Sequence, residues 1–160
     1  VSAAFLPVLL ALCVGTTQTS TPTPAGVELV TLAPGQALYS LWGHTAVRVL
    51  ERRPPRELAY NFGSIDFSGA VLARMLSGEV QASVDVSPYF RMAQAYQAER
   101  RSIARQALQL RPAEADALVA DLADRVGPNQ QPYRYHHFDQ NCSTQVADAL
   151  DHAMQGRLSA

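Results

Sequence analysis

A chain of 160 residues, 48% of them apolar, can bury one sizeable core and little more. Its formal charge of −1 and its scattered arginines leave no basic stripe, so nucleic acid is not an expected partner. All 13 of its cationic side chains other than histidine are arginine, and without lysine there is neither a Gly-Lys-Ser/Thr phosphate loop nor a Schiff base; paired-cysteine zinc knuckles and a His-Glu-x-x-His helix are also missing, so no metal or organic cofactor is expected.

In chain order, the apolar, uncharged run Ala3 to Leu12 gives way at Thr16 to Pro24 to a Thr/Ser/Pro tract. The run falls short of the roughly 20 residues that span a bilayer. It reads as a signal-peptide core with an extended linker behind it, so residues 1–25 are expected to serve export and 26–160 to fold as one domain. Leu10-Ala11-Leu12-Cys13 offers an alternative, a lipidated Cys13 anchoring the chain to a membrane, although Leu12 is bulky for that position.

Beyond the linker the pattern predicts an α+β domain without repeats. Val27 to Leu32 reads as a strand closed by Pro34-Gly35. His44 to Glu51 alternates, with Thr45, Val47 and Val49 on one face and His44, Ala46 and Arg48 on the other. Pro54-Pro55 breaks this run, and Leu58 to Phe62 alternates again, so the two predict a hairpin. A short helix is expected over Ala70 to Leu76, ending at Gly78, and a fourth strand along Val80, Ala82, Val84 and Val86. Ser87-Pro88 has the form of a helix opening, and Met92, Tyr96, Ile103, Ala107 and Leu110 then fit one helical stripe. Arg100, Arg101 and Arg105 are expected on the solvated side of that helix. Pro112 opens the next helix, with Leu118, Leu122 and Val126 inward and Gly127 as its stop.

The last segment carries the strongest chemical signal. Asn141-Cys142-Ser143-Thr144 enters a helix whose apolar positions are Val146, Ala149, Leu150 and Ala153, and Cys142 falls on the same stripe one turn earlier. Backbone N–H groups and the positive end of the helix dipole converge there, which suits a nucleophilic sulfur. The bland alternatives are a cysteine that merely packs, or a disulfide with Cys13. A nucleophile needs a base, and four histidines are available. His44 starts a strand after Gly43, His136 and His137 lie on the approach to Cys142, and His152 sits on the cysteine helix but points away from it.

Three segments together resemble one bacterial family. They are Gly35 to Val49 with its Gly43-His44-Thr45-Ala46, Tyr60 to Phe67, and Tyr133-Arg134-Tyr135 with Asn141-Cys142-Ser143-Thr144. The family is the one named for the Lnb N-terminal periplasmic domain, and the resemblance runs from Val27 to about Asp151. It implies a circularly permuted, papain-like fold of the NlpC and lecithin–retinol acyltransferase type, with a small antiparallel sheet on helices and the nucleophile helix last. It also implies lipoprotein N-acylation through a cysteine thioester. Carried over residue by residue, the resemblance makes Cys142 the nucleophile and His44 the base. Papain-like folds orient the imidazole with a polar residue on the following strand; the hairpin brings Asn61 to Ser64 opposite His44, so Asn61 is the candidate and Asp66 the alternative. Asn141, Ser143 and His137 are expected to support the site, the first two at the oxyanion. This sequence departs from the family in having His136-His137 where an acidic and an aromatic residue are commoner. It also stops at Ala160, where relatives continue, so a C-terminally incomplete domain is expected.

The sequence thus predicts an exported thiol acyltransferase of the periplasm or cell envelope, acting on phospholipid or lipoprotein acyl groups at a membrane surface. A cysteine peptidase or amidase acting on cell-wall peptides is the first alternative, and a non-catalytic envelope module the second.

Overall fold

A computed structural model describes residues 24–36, 40–65, 71, 74, 78–128 and 130–159. Cys13, Asp66 and the expected export segment up to residue 23 lie outside the described residues, as does most of the helix expected over Ala70 to Leu76, of which Val71 and Arg74 are helical. The architecture is α+β. Six strands form one antiparallel sheet, β1 (Pro24–Leu32), β2 (His44–Arg52), β3 (Pro55–Ser64), β4 (Gln81–Pro88), β5 (Ile103–Ala107) and β6 (Tyr133–Arg134), in the order β5-β1-β2-β3-β4-β6. Three helices cover it: α1 (Tyr89–Ala98), α2 (Pro112–Val126) and α3 (Cys142–Ala153), the last of them at the C-terminal end.

The expected hairpin is present, with Ala46 opposite Asn61 and Val49 opposite Leu58. Its alternation divides the core in two. Val47, Val49, Tyr60, Phe62 and Val84 turn to one face and pack against Leu118 and Leu122 of α2 and Val146, Ala149 and Leu150 of α3. Val30, Leu32, Ala46 and Ala59 turn to the other, under Met92 and Tyr96 of α1. Each fully buried side chain such as Phe62, Leu118 or Leu122 contributes about 1.5–3 kcal/mol by leaving water. The apolar positions foreseen for α3 are the ones it buries.

Three expectations are corrected. The helix that follows β4 does not run to Leu110: it ends at Ala98, Arg100 takes a left-handed φ of 58°, and Ile103–Ala107 is a strand paired with β1. Without β5, β1 would be an open edge with unpaired N–H and C=O groups, and that tertiary demand outweighs a helix-compatible spacing. Ser87 and Pro88 finish β4, and no side chain caps α1. Arg101, placed by the sequence on a solvated helix face, is buried beyond the helix end, where its Nε donates to the Ala33 carbonyl at 2.8 Å. β6, only two residues long, had no visible signal. Among the described residues no helix is long and apolar enough to cross a membrane.

Candidate active site

Both catalytic candidates sit at segment starts, because a side chain there escapes the core that the rest of its element must bury. Cys142 is the first residue of α3 and His44 the first of β2. α3 begins where it does because Asn141 caps it. The Asn141 Oδ1 accepts from the Ser143 and Thr144 N–H groups at 2.9 and 3.1 Å, and Thr144 Oγ1 accepts from the Asn141 N–H at 2.9 Å. The Asn141 Nδ2 donates to the His137 carbonyl at 2.8 Å and so fixes the approach loop as well. The cap occupies two first-turn donors and leaves that of Cys142.

The strand end is fixed as tightly. Gly43 has a φ of +75°, and a Cβ there would come within 2.6 Å of the Leu32 carbonyl oxygen, so only glycine lets the chain turn into His44 this close to β1. One residue on, the Thr45 hydroxyl lies 3.0 Å from the Ser143 hydroxyl. This bond joins the residue after the histidine to the residue after the cysteine, across 98 positions of sequence, and ties β2 to the head of α3. Ser143 was expected at the oxyanion and Thr45 only on a strand face; no local signal links them.

His44, Asn61 and Cys142 line one cavity of about 380 Å³. The His44 Nε2 meets the Asn61 Oδ1 at 3.3 Å. An amide oxygen only accepts, so Nε2 carries the proton and Nδ1 is the free lone pair. The His44 pKa lies below the usual 6.5, first because burial disfavours the cation and further because Arg101 is near; the Asn61 bond acts in the opposite sense. At neutral pH the ring is therefore a neutral base with a fixed tautomer.

The cavity walls come from three places. From the sheet come Asp85 and Ser87 of β4, which share the Asn61 face, and Gly63 at the irregularity between Phe62 and Ser64 in β3–β4 pairing. From α1 and its exit come Met92, Tyr96 and Arg101. From the loops before β2 and after β6 come Trp42, Tyr135 and His137. The Tyr96 and Tyr135 phenols are raised in pKa, by burial first, and stay protonated at neutral pH. The His137 ring packs on Trp42, centroids 4.4 Å apart, and edge-on to Phe138 at 5.0 Å; Trp42 is 61% and Phe138 78% exposed.

Cys142, His44, Asn61, Asn141, Ser143 and His137 thus come together. Asp66 lies outside the described residues. His136 does not line the cavity and pairs with Asp139 at 2.9 Å, and His152 is exposed on the far part of α3. Arg101 and Tyr96 were missed as site residues, having been read as an outer face and a core stripe. Among the described residues no three His, Cys, Asp or Glu side chains converge as metal ligands.

Neither a curated protein nor a solved structure matches the chain. The model of a family described as the Lnb N-terminal periplasmic domain matches residues 16–160, nearly the whole sequence. The family is a periplasmic one, which assigns the domain to the cell envelope. The chain therefore belongs to the family of the Lnb N-terminal periplasmic domain.

Proposed function

We propose that the domain is a papain-like thiol acyltransferase of the cell envelope, with Cys142 as nucleophile, His44 as base and Asn61 as the residue that orients it. The observation that carries this reading is the Asn61-held His44 ring lining the same cavity as a cysteine at a capped helix start. His44 Nδ1 takes the thiol proton as Sγ attacks an ester carbonyl. The oxyanion is met by the Cys142 N–H and the Tyr135 phenol. The ester C–O bond breaks, the leaving alkoxide takes the proton from His44, and the acyl group remains on Sγ as a thioester. An amine, the N-terminus of a lipoprotein in this reading, then attacks the thioester, gives its proton to His44 and releases an amide and the thiolate, which takes the proton back. No cofactor enters. The acyl donor is a phospholipid or lipoprotein ester reached from a membrane surface, an approach that the exposed Leu41, Trp42 and Phe138 support, Trp42 lining the cavity and Phe138 packing on its His137 wall.

The polar walls, Ser64, Asp85, Ser87 and Arg101, favour a second reading, hydrolysis of a cell-wall peptide by the same pair of residues. Product analysis separates the two. The purified domain is given a short-chain ester together with a glycyl peptide, and the acyl group is followed by mass spectrometry. Acyl transfer predicts the N-acylated peptide as the main product. Free acid alone, at every peptide concentration, contradicts the acyltransferase reading.

A further inference from the structure

The acyl donor has to be held so that its carbonyl meets Cys142, and one group in the cavity is built to hold an anion. Among the described residues two arginines are almost wholly buried, Arg48 with 7% and Arg101 with 5% of the side chain exposed. Burying a guanidinium is strongly unfavourable unless its charge is answered. Arg48 is answered twice, by Glu28 at 2.5 Å and Glu57 at 2.7 Å, and it does not line the cavity. Arg101 is answered differently. Among the described residues its carboxylate partner is Glu99, at 3.1 Å and through one nitrogen, and Glu99 is 49% exposed, so solvent weakens the pairing. Its Nε is anchored on the Ala33 carbonyl at 2.8 Å, and its guanidinium carbon lies 4.2 Å over the Tyr96 ring. The side chain is thus held in a wall shared with His44 and Cys142, and among the described residues a single, half-exposed carboxylate answers its charge.

The sheet order shows where an anion bound there would lie. Arg101 precedes β5 and is tied to the residue after β1, His44 starts the neighbouring β2, Asn61 is on β3, and Asp85 is its partner on β4. Positive charge stands on the β1 side of the base and negative charge on the β4 side. Strands lie about 4.8 Å apart, so Asp85 is roughly 10 Å from the His44 strand and does not cancel Arg101.

We infer that Arg101 is the specificity-determining residue of this cavity: it binds an anionic oxygen group, a phosphate or a carboxylate, carried by the acyl donor beside its scissile ester. The inference rests on the acyltransferase reading for its consequence in turnover, and not for the binding itself. A charge-assisted pair to a fixed guanidinium makes a matched anionic donor favoured over a neutral one by about tenfold or more.

Binding is measured first, in Cys142→Ala so that no chemistry intervenes, with dihexanoyl phosphatidylglycerol and dihexanoylglycerol below their aggregation limits. The phospholipid should bind more tightly, and Arg101→Gln should remove that difference by weakening the phospholipid more than the neutral lipid. Glu99→Gln, at a half-exposed position, should increase the difference, and Arg101→Lys should retain part of it. Competition by inorganic phosphate distinguishes recognition of the phosphate group alone from recognition that needs the lipid. Turnover of the same two lipids by the Cys142 domain should show the same preference. An undiminished preference in Arg101→Gln overturns the inference. So does an equal loss for both lipids in a folded protein, which would mark Arg101 as a structural tie. Should Arg101→Gln fail to fold, a preference unmoved by Glu99→Gln overturns it. Phospholipid binding that depends on Arg101, without any thioester on Cys142, would leave the anion site standing and refute the acyltransferase reading alone.

Discussion

Replacing Asn141 separates the two parts its side chain could play, capping α3 or touching the reacting carbonyl. Asn141→Ala removes the two acceptor bonds from the Ser143 and Thr144 N–H groups and the donor bond to the His137 carbonyl. Loss of an N-cap costs about 0.5–2 kcal/mol. The bond to His137 adds about 1 kcal/mol. The three bonds share one side chain and are not fully additive, so the total falls below their sum, at about 1–2.5 kcal/mol. For a chain of this size that lowers the thermal midpoint by about 2–10 °C. Acylation should fall by about ten- to a hundredfold as Cys142 drifts from its place. Asn141→Asp keeps both cap bonds, adds a negative charge at the helix start and loses the donor, so it should recover most of the stability and of the rate. Asn141→Ser keeps the cap alone and should fall between Ala and wild type. The assays are thermal unfolding and single-turnover thioester formation on the same preparations. An unchanged midpoint in Asn141→Ala together with lost acylation would refute the cap and place the amide on the oxyanion. Equal destabilisation by Ala and Asp would refute it too.

The rate of Cys142 acylation should rise with pH along a limb governed by His44, with its midpoint below 6.5, because burial and Arg101 both lower that pKa. Asn61→Ala should slow the reaction and move the limb further to acid, since the lost bond is the one that raises the pKa; a limb at or above 6.5 in the wild type would contradict this. Thr45→Val should reduce acylation with less than about 1 kcal/mol of lost stability, and adding Ser143→Ala should cost nothing more, since one bond is removed by either change. Additive losses would show that the two hydroxyls act separately. Glu114, paired first with Arg111 and also with Arg157, has its pKa lowered from 4.5 to about 2. Its stabilising contribution is present above 4.5 and disappears as pH falls through about 2, so Glu114→Gln should be less stable at neutral pH with the gap closing across that range; a constant gap would refute the assignment.

What the sequence made legible was local and periodic. The hairpin of β2 and β3, the stripe of α2 and the buried positions of α3 follow from spacing alone, because one face of each must be apolar whatever it packs on. β5 was misread because Ile103 and Ala107 fit a helical stripe as well as a strand, and what decides between them is the open edge of β1, some seventy residues earlier. Arg101 was misread for a related reason. In the run Glu99-Arg100-Arg101 every residue is charged, and only the turn at Arg100 sends one of them inward. Of the site, Cys142, His44 and Asn61 were reached through resemblance and hairpin register. The Thr45–Ser143 tie and the Arg101 wall are tertiary contacts, with no trace in the chain's local pattern.

The proposed chemistry stands on a thioester at one sulfur, formed with the help of one imidazole. Intact and peptide mass spectrometry of the domain after brief exposure to a short-chain phospholipid measures this directly. The expected result is one acyl adduct, located on Cys142 and cleaved by hydroxylamine at neutral pH. No adduct is expected in Cys142→Ala, and in His44→Ala its formation should be slowed by at least about a hundredfold. A wild-type domain that acquires no adduct, or a His44→Ala variant that is acylated at the wild-type rate, would contradict it.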